Sequence, residues 1–255
     1  MHESTPRQFR IGWDVGGWHC DNNASRDALV VLEVIGSHAD RIGFYRGNLR
    51  QELVLPRGVD LIRRFFNLCE IEPPEKFDLT IAIDTPLGWP DSFVSMISGG
   101  AQVQIPFIDA DNPYTRRRTE IEIIRKGFRA ADGQTLRPLS PVRDMIGSQA
   151  TKGIHFLRSV GLVAISPGIF HATTSNVSVT AFEGYPALAK ATKNSAFAHI
   201  MQECGRTDDH KDVQDALACA VVAHLYADMR DQIEDVPEKE ALLSEGWIFY
   251  PRPQV

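Results

Sequence analysis

Long apolar runs, paired cysteines and any excess of positive charge are missing from this chain of 255 residues, and each absence removes a class of function. No apolar stretch approaches the roughly 20 residues that a bilayer-spanning helix needs, so a helical membrane protein is excluded. The start, Met1-His-Glu-Ser-Thr-Pro-Arg7, lacks the apolar segment of a secretory signal, and a cytoplasmic location is expected. The four cysteines, Cys20, Cys69, Cys204 and Cys219, form neither a Cys-x-x-Cys pair nor a zinc spacing and read as reduced packing residues. There is no Gly-x-Ser-x-Gly elbow and no local cysteine signature, which argues against hydrolysis through a protein nucleophile. Internal repeats and low-complexity tracts are also lacking. With a net charge of −6, a broad nucleic-acid-binding surface is disfavoured, because such surfaces draw their affinity from Lys and Arg on phosphate. Any such binding must rest on local clusters.

What is present suits one substantial α/β domain. A chain of this length buries on the order of 70–75% of its unfolded surface. Its densest chemical signal is Asp212-Val-Gln-Asp215-Ala-Leu-Ala-Cys-Ala, two carboxylates three positions apart at the head of an apolar helix. Helical residues advance by about 100° each, so Asp212 and Asp215 share a face and converge on one object. Like charges brought together raise a pKa or recruit a cation, and hard oxygen donors suit Mg²⁺ or Mn²⁺. An acidic helix start that answers the macrodipole is the plainer alternative. Of the pair, Asp215 leads directly into the buried run, whereas Asp212 is expected nearer solvent.

Two further acids sit on apolar strands. Arg10-Ile-Gly-Trp-Asp14-Val-Gly-Gly reads as a first strand with an aspartate near its middle, broken at two glycines. Lys76-Phe-Asp-Leu-Thr-Ile-Ala-Ile-Asp84-Thr-Pro86 reads as a buried strand ending in aspartate. Aspartate is a poor strand former and costly to bury, so Asp14 and Asp84 each call for a partner or cap the turn that follows. Ala28 to Ile35 and Arg41 to Leu49 are strand-like and form a meander with the first strand, which makes the Asp14 strand central. Val59 to Glu70 has helical spacing and leads into the Asp84 strand as a right-handed crossover. Val177 to Phe182 is a fifth strand, ending at Glu183-Gly-Tyr185-Pro186. Glu183 thus stands at a strand-to-helix junction like that of Asp84, as a metal ligand, as an acceptor behind the metal that orients Tyr185 or an arginine, or as a helix-start acid.

Residues 91–160 differ in texture. Gly99-Gly100, Asp109-Ala-Asp-Asn-Pro113 and Asp132-Gly-Gln-Thr surround helical pieces at Thr115 to Phe128 and Pro141 to Gly161, and the segment reads as a helical insertion or lid. Its first helix opens on Arg116, Arg117 and Arg118 beside Tyr114, a combination suited to phosphate and base stacking, with more basic residues at Arg125, Lys126 and Arg129. The plainer alternative is a solvated face with Arg116–Glu120 and Glu122–Lys126 pairs. In the second helix, Arg143 and Lys152 are placed to approach the acids. His19 and His210 lie near the acids in sequence without a partner at ligand spacing, and His224 should face away from Asp215.

Taken in order, Asp14, Asp84 and Asp212-x-x-Asp215-Ala-Leu-Ala resemble the ribonuclease H-like superfamily, and the last of these is similar to the end of RuvC-type Holliday junction resolvases. Ile81-Ala-Ile-Asp84-Thr-Pro-Leu-Gly88, Glu183-Gly-Tyr-Pro186, the Asp212 run and Glu245-Gly-Trp-Ile-Phe-Tyr-Pro251 are similar to a family of predicted nucleases, domain of unknown function family 429. The resolvase position on the fourth strand is usually a glutamate, and Asp84 departs from it. The resemblance implies a mixed five-stranded sheet flanked by helices with the insertion at 91–160, and Mg²⁺ or Mn²⁺ held by Asp14, Asp84, Asp212 and Asp215, with Glu183 among the catalytic acids. It implies phosphodiester hydrolysis of DNA or RNA by two metal ions, with Arg116, Arg117 and Arg118 on the substrate, no membrane partner, and a homodimer by analogy with resolvases. Two alternatives stay open. Asp14-Val-Gly-Gly also resembles the phosphate hairpin of actin-like ATPases and sugar kinases, although Trp18 replaces the usual hydroxyl residue. A catalytically idle binding module of the same fold is the other.

Overall fold

A computed structural model describes residues 6–54, 57–106, 111–237 and 241–254. Asp109 and Ala110 of the acidic turn read from the sequence lie outside these residues. Among the described residues the chain forms one open mixed sheet of eight strands with seven α-helices. The central strand β1 (Arg7–Asp14) pairs antiparallel with β2 (Asp27–Ile35), which pairs antiparallel with β3 (His38–Gly47). On its other side β1 runs parallel to β4 (Phe77–Asp84), and β4 runs parallel to β7 (Val177–Gly184).

Five strands were expected, and these five are present in that order. The sheet is larger because a hairpin of β5 (Val163–Ser166) and β6 (Ile169–Thr173) adds to β7, and β8 (Ile248–Phe249) pairs with Glu183 and Gly184 beyond the end of β6. The hairpin escapes a periodicity reading because β5 is exposed along its whole length, with Val163 and Ile165 more than half in solvent. No apolar-in, polar-out alternation marks it. Asp14 is the last residue of β1 rather than a mid-strand residue.

Alternation along β1 sends Phe9, Ile11 and Trp13 to one face and Arg10, Gly12 and Asp14 to the other. The first face meets α1 (Val59–Leu68) and α4 (Gly147–Val160), where Phe65 stacks on Phe156 at 5.2 Å and Trp13 stands edge-on to both rings. Each such ring contributes about 1.5–3 kcal/mol by leaving water. Since Phe156, Leu157 and Val160 belong to this core, α4 is a structural layer and not a lid. The remaining helices of the 91–160 stretch are α2 (Asp91–Ile97) and α3 (Arg118–Lys126), shorter than the Thr115 to Phe128 reading.

The second face is covered by α7 (Lys211–Asp228), whose residues Ala216 to Leu225 are all buried. The helix fits because Gly12, at the middle of that face of β1, offers no side chain beneath it. A methyl group on Gly12 would overlap the carbonyl oxygen of Ala216 and the amide nitrogen of Ala220, and one on Gly184 would press on Cys219 Sγ at 3.2 Å. At its far end α7 is held by Arg10, which donates to Asp228 at 2.7 and 2.8 Å and is 3% exposed. Arg10, Gly12 and Asp14 on one strand thus meet the end, the middle and the beginning of one antiparallel helix. The last helices are α5 (Pro186–Ala191) and α6 (Ser195–Cys204). All four cysteines are free and buried. Among the described residues no helix is long and apolar enough to cross a membrane.

Candidate metal and phosphate site

The strand register puts Asp14 of β1 directly opposite Asp84 of β4. Neighbouring strands lie about 4.8 Å apart, so two paired residues send their side chains to the same face within reach of each other. That face belongs to α7, because Gly12 and its register partner Ala82 lie under it two residues earlier. Asp215, adjacent to the Ala216 carbonyl that rests on Gly12, completes the group from above. Burial first, then the charges of Asp84 and Asp215, push the Asp14 carboxyl up to about 9. Burial followed by Asp215 and Glu183 push Asp84 up to about 8, while Lys190 and Lys211 work in the opposite direction. Crowding and burial thus favour retained protons on Asp14 and Asp84, which a divalent cation would displace on binding.

Hard carboxylate oxygens in excess of local cations are the donor chemistry of Mg²⁺ and Mn²⁺. Asp14, Asp84 and Asp215 are the residues that would hold such an ion. Their grouping is open, however: among the described residues no three His, Cys, Asp or Glu side chains close around one point at metal-binding spacing. A protein cation already stands at one of them, since Lys190 Nζ donates to Asp215 Oδ1 at 2.6 Å.

The other acids read from the sequence are committed elsewhere. Asp212 is 5% exposed, more buried than Asp215, which reverses the expected order. Its Oδ2 accepts from the Arg26 amide at 3.0 Å and from Arg46 Nε at 2.9 Å, tying the start of α7 to the β2–β3 pair. His210 is the cap of that helix, its Nδ1 accepting from the Asp212 amide at 3.2 Å. Glu183 faces the opposite side of the sheet from Asp84, one residue out of step with it. There it takes a two-pronged ion pair from Arg117, at 2.6 and 2.7 Å, and accepts from the Leu87 amide at 3.1 Å. Of the roles weighed for Glu183, its contacts are those of an acceptor for an arginine.

The arginine triplet is split by the fold. Arg117 is fully buried between Glu183 and Glu120, donating to Glu120 at 2.7 Å. Burial pushes Glu120 up to about 7 against the pull of Arg117. Arg116 is 4% exposed and donates to the Pro138 carbonyl at 3.1 Å. Only Arg118 of the three reaches solvent. Arg116 and Arg117 anchor the start of α3, so they do not present their guanidinium groups to a substrate.

A different set of cations faces the acids. A cleft of about 860 Å³ is lined by Asp84, Asp215, Arg129, Lys190, Lys193 and Lys211, together with Tyr185. Of these only Arg129 belongs to a basic run in sequence. Lys190 sits on α5, Lys193 just after it and Lys211 at the first position of α7, so no local signal joins them before folding does. A smaller cavity of about 220 Å³ shares Asp84 and Tyr185 with this cleft and reaches Asp14.

The turn after Asp14 is held from beneath. Lys152 of α4 is fully buried against Asp27 and donates to the carbonyls of Gly16 and Gly17 at 3.3 and 3.2 Å. Asp27 accepts in turn from the Gly16 amide at 2.9 Å, Leu49 N at 2.8 Å and Trp13 Nε1 at 3.1 Å. Lys152 thus approaches the site as a support, and its partner Asp27, at the start of an apolar strand, is legible only in three dimensions. His19 is exposed beside Arg50, and His224 is buried with Asp228 at the far end of α7. No protein-family model matches the chain, and no curated protein or solved structure matches it.

Proposed function

We propose that this protein is a divalent-cation-dependent nuclease that hydrolyses phosphodiester bonds in nucleic acid. The observation that carries the reading is the meeting of Asp14, Asp84 and Asp215 beside a cleft lined by four cationic side chains. The acids provide donors for Mg²⁺ or Mn²⁺, and the cations provide counter-charge for a phosphate backbone that the net charge of −6 would otherwise repel. The strand order β3-β2-β1-β4-β7, with the first three antiparallel and the last two parallel to β1, supports the ribonuclease H-like resemblance.

A divalent ion held by Asp14, Asp84 and Asp215 would supply Lewis-acid chemistry at the phosphate. The chain's own contribution is positional. Lys190, Lys193, Lys211 and Arg129 draw the strand along the cleft. The Lys152–Asp27 pair fixes the turn that follows Asp14, and Arg117 holds the ends of β4 and β7 through Glu183.

The test is incubation of the protein, beside Asp14→Asn and Asp215→Asn, with single-stranded, duplex and branched DNA and RNA in Mg²⁺ or Mn²⁺. Metal-dependent cleavage lost in both folded variants is expected, and retained turnover in either would overturn the assignment. A second reading, an idle binding module of the same fold, is favoured by the open ligand grouping and by the hold of Lys190 on Asp215. Nucleic-acid binding without cleavage in any metal, and without Mn²⁺ binding, would select it. A two-fold symmetric dimer belongs to the nuclease reading, and a cytoplasmic location is proposed beside it from the polar start of the chain.

A further inference from the structure

The smaller cavity has a character unlike that of the cationic cleft it joins. Asp14, Asp84 and the Arg117-paired Glu183 contribute its acids, and much of the remaining lining is apolar, including Val15, Pro86, Leu139 and Ile146, with Tyr185 where the two spaces meet. At about 220 Å³ it falls below the roughly 300–1,000 Å³ of sites for drug-sized ligands, and matches a single ring system. No lysine or arginine is among its described lining residues to hold an anionic group, and Glu183 is already paired with Arg117, so the occupant is neutral.

Two polar groups in the lining lack partners among the described residues. Thr85, which is 4% exposed, has a hydroxyl with no hydrogen bond, and the side-chain oxygen of Gln149 is buried without one. Most buried polar atoms in folded proteins are paired, and leaving one unpaired carries a free-energy penalty that a ligand with matching groups relieves. An amide offers a donor and an acceptor on one plane, and rotation about its last bond exchanges them. A flat, neutral ligand with ring nitrogens and exocyclic amino or carbonyl groups fits these requirements.

We propose that this cavity receives one unstacked nucleobase of the strand whose phosphate lies at Asp14 and Asp84, with Thr85 and Gln149 addressing the edge of the base. The proposal rests on the nuclease reading for the position of the strand. Its backbone would follow the lysine-lined cleft, and the base would turn in past Tyr185, which with Asp84 borders both spaces. Unstacking is least costly in single strands, mispairs and junctions, so the substrate class is nucleic acid with an unpaired base beside the scissile bond.

The experiment uses single-stranded oligonucleotides in which one abasic site is moved stepwise past the cleavage position, and a parallel set carrying 2-aminopurine read by fluorescence in Ca²⁺. Cleavage should fall about tenfold or more when the abasic site occupies one particular position, as expected for loss of one base's stacking. Ile146→Trp, which fills the cavity, should bring the same fall on an intact strand with no further fall on the abasic one. Gln149→Leu, a milder change, should alter which base is preferred there. Each variant is first checked for an unchanged melting transition. Uniform tolerance of abasic sites, or full activity on intact strands in folded Ile146→Trp, would overturn the proposal while leaving the nuclease reading in place. If the protein cleaves nothing, a position-specific 2-aminopurine signal abolished by Ile146→Trp would sustain the base pocket, and its absence would remove it.

Discussion

Replacing Asp14 by asparagine should make the metal-free protein more stable, and increasingly so as the pH rises. In the folded chain the Asp14 carboxyl is pushed from 3.8 up to about 9, by burial and by the charges of Asp84 and Asp215. The folded state therefore keeps a proton that the unfolded state has released, and stability declines as pH climbs from about 4 toward 9. At 1.36 kcal/mol per unit, the decline accumulated by pH 8 has a ceiling of roughly 6 kcal/mol. Water at the cleft mouth and proton sharing with Asp84 reduce it, leaving an expected gain for Asp14→Asn of about 1–3 kcal/mol, as asparagine has no charge to bury. For a chain of this size that is a melting-temperature rise of about 2–12 °C. The assay is thermal unfolding in EDTA at pH 5.5 and pH 8, repeated with millimolar Mn²⁺. The variant's advantage at pH 5.5 should be about two-fifths of that at pH 8, and Mn²⁺ should raise the wild-type transition at pH 8 but not that of the variant. A variant less stable than wild type at pH 8, or an advantage independent of pH, would refute the idea that these carboxylates repel one another in the folded state.

Three further outcomes are expected. Gly12→Ala should destabilise the protein by about 3 kcal/mol or more in urea unfolding, because its methyl group meets the α7 backbone, which has no rotamer with which to yield; a loss under 1 kcal/mol would show that α7 is not seated on β1 as described. Arg117→Met should cost about 3–5 kcal/mol by leaving Glu183 and Glu120 buried without their cation, whereas Arg118→Met should stay within about 0.5 kcal/mol; equal effects would contradict the inward placement of Arg117. Lys190→Ala and Lys211→Ala should each weaken nucleic-acid binding in fluorescence anisotropy and lower the salt slope by about 1, while Arg118→Ala leaves the slope unchanged; the reverse pattern would return the substrate track to the arginine triplet.

The elements of this protein were legible where local periodicity and local chemistry agree. Runs such as Phe77–Asp84 announce a buried strand, and Asp215 followed by Ala-Leu-Ala announces a helix entering a core. An acid at the end of an apolar run is visible because burying it without a partner is costly. The partners themselves were not visible. Asp212 and Asp215 look equivalent on a helical wheel, yet one is bound by Arg26 and Arg46, far away in sequence, and the other faces Lys190 and the cleft. The run Arg116-Arg117-Arg118 looks like one basic patch, but α3 turns its first two guanidinium groups inward to carboxylates and carbonyls and leaves one outside. Lys190, Lys193 and Lys211 show the converse, a basic lining assembled from residues with no common local pattern. The sequence by itself determined which segments become strands and helices and which acids are out of place in them, since those depend on each residue's own preferences and its near neighbours. Which acid is neutralised, which arginine is buried and which lysines share a cleft was decided only by tertiary structure, because ion pairs and cavities depend on distances that exist once the chain has packed.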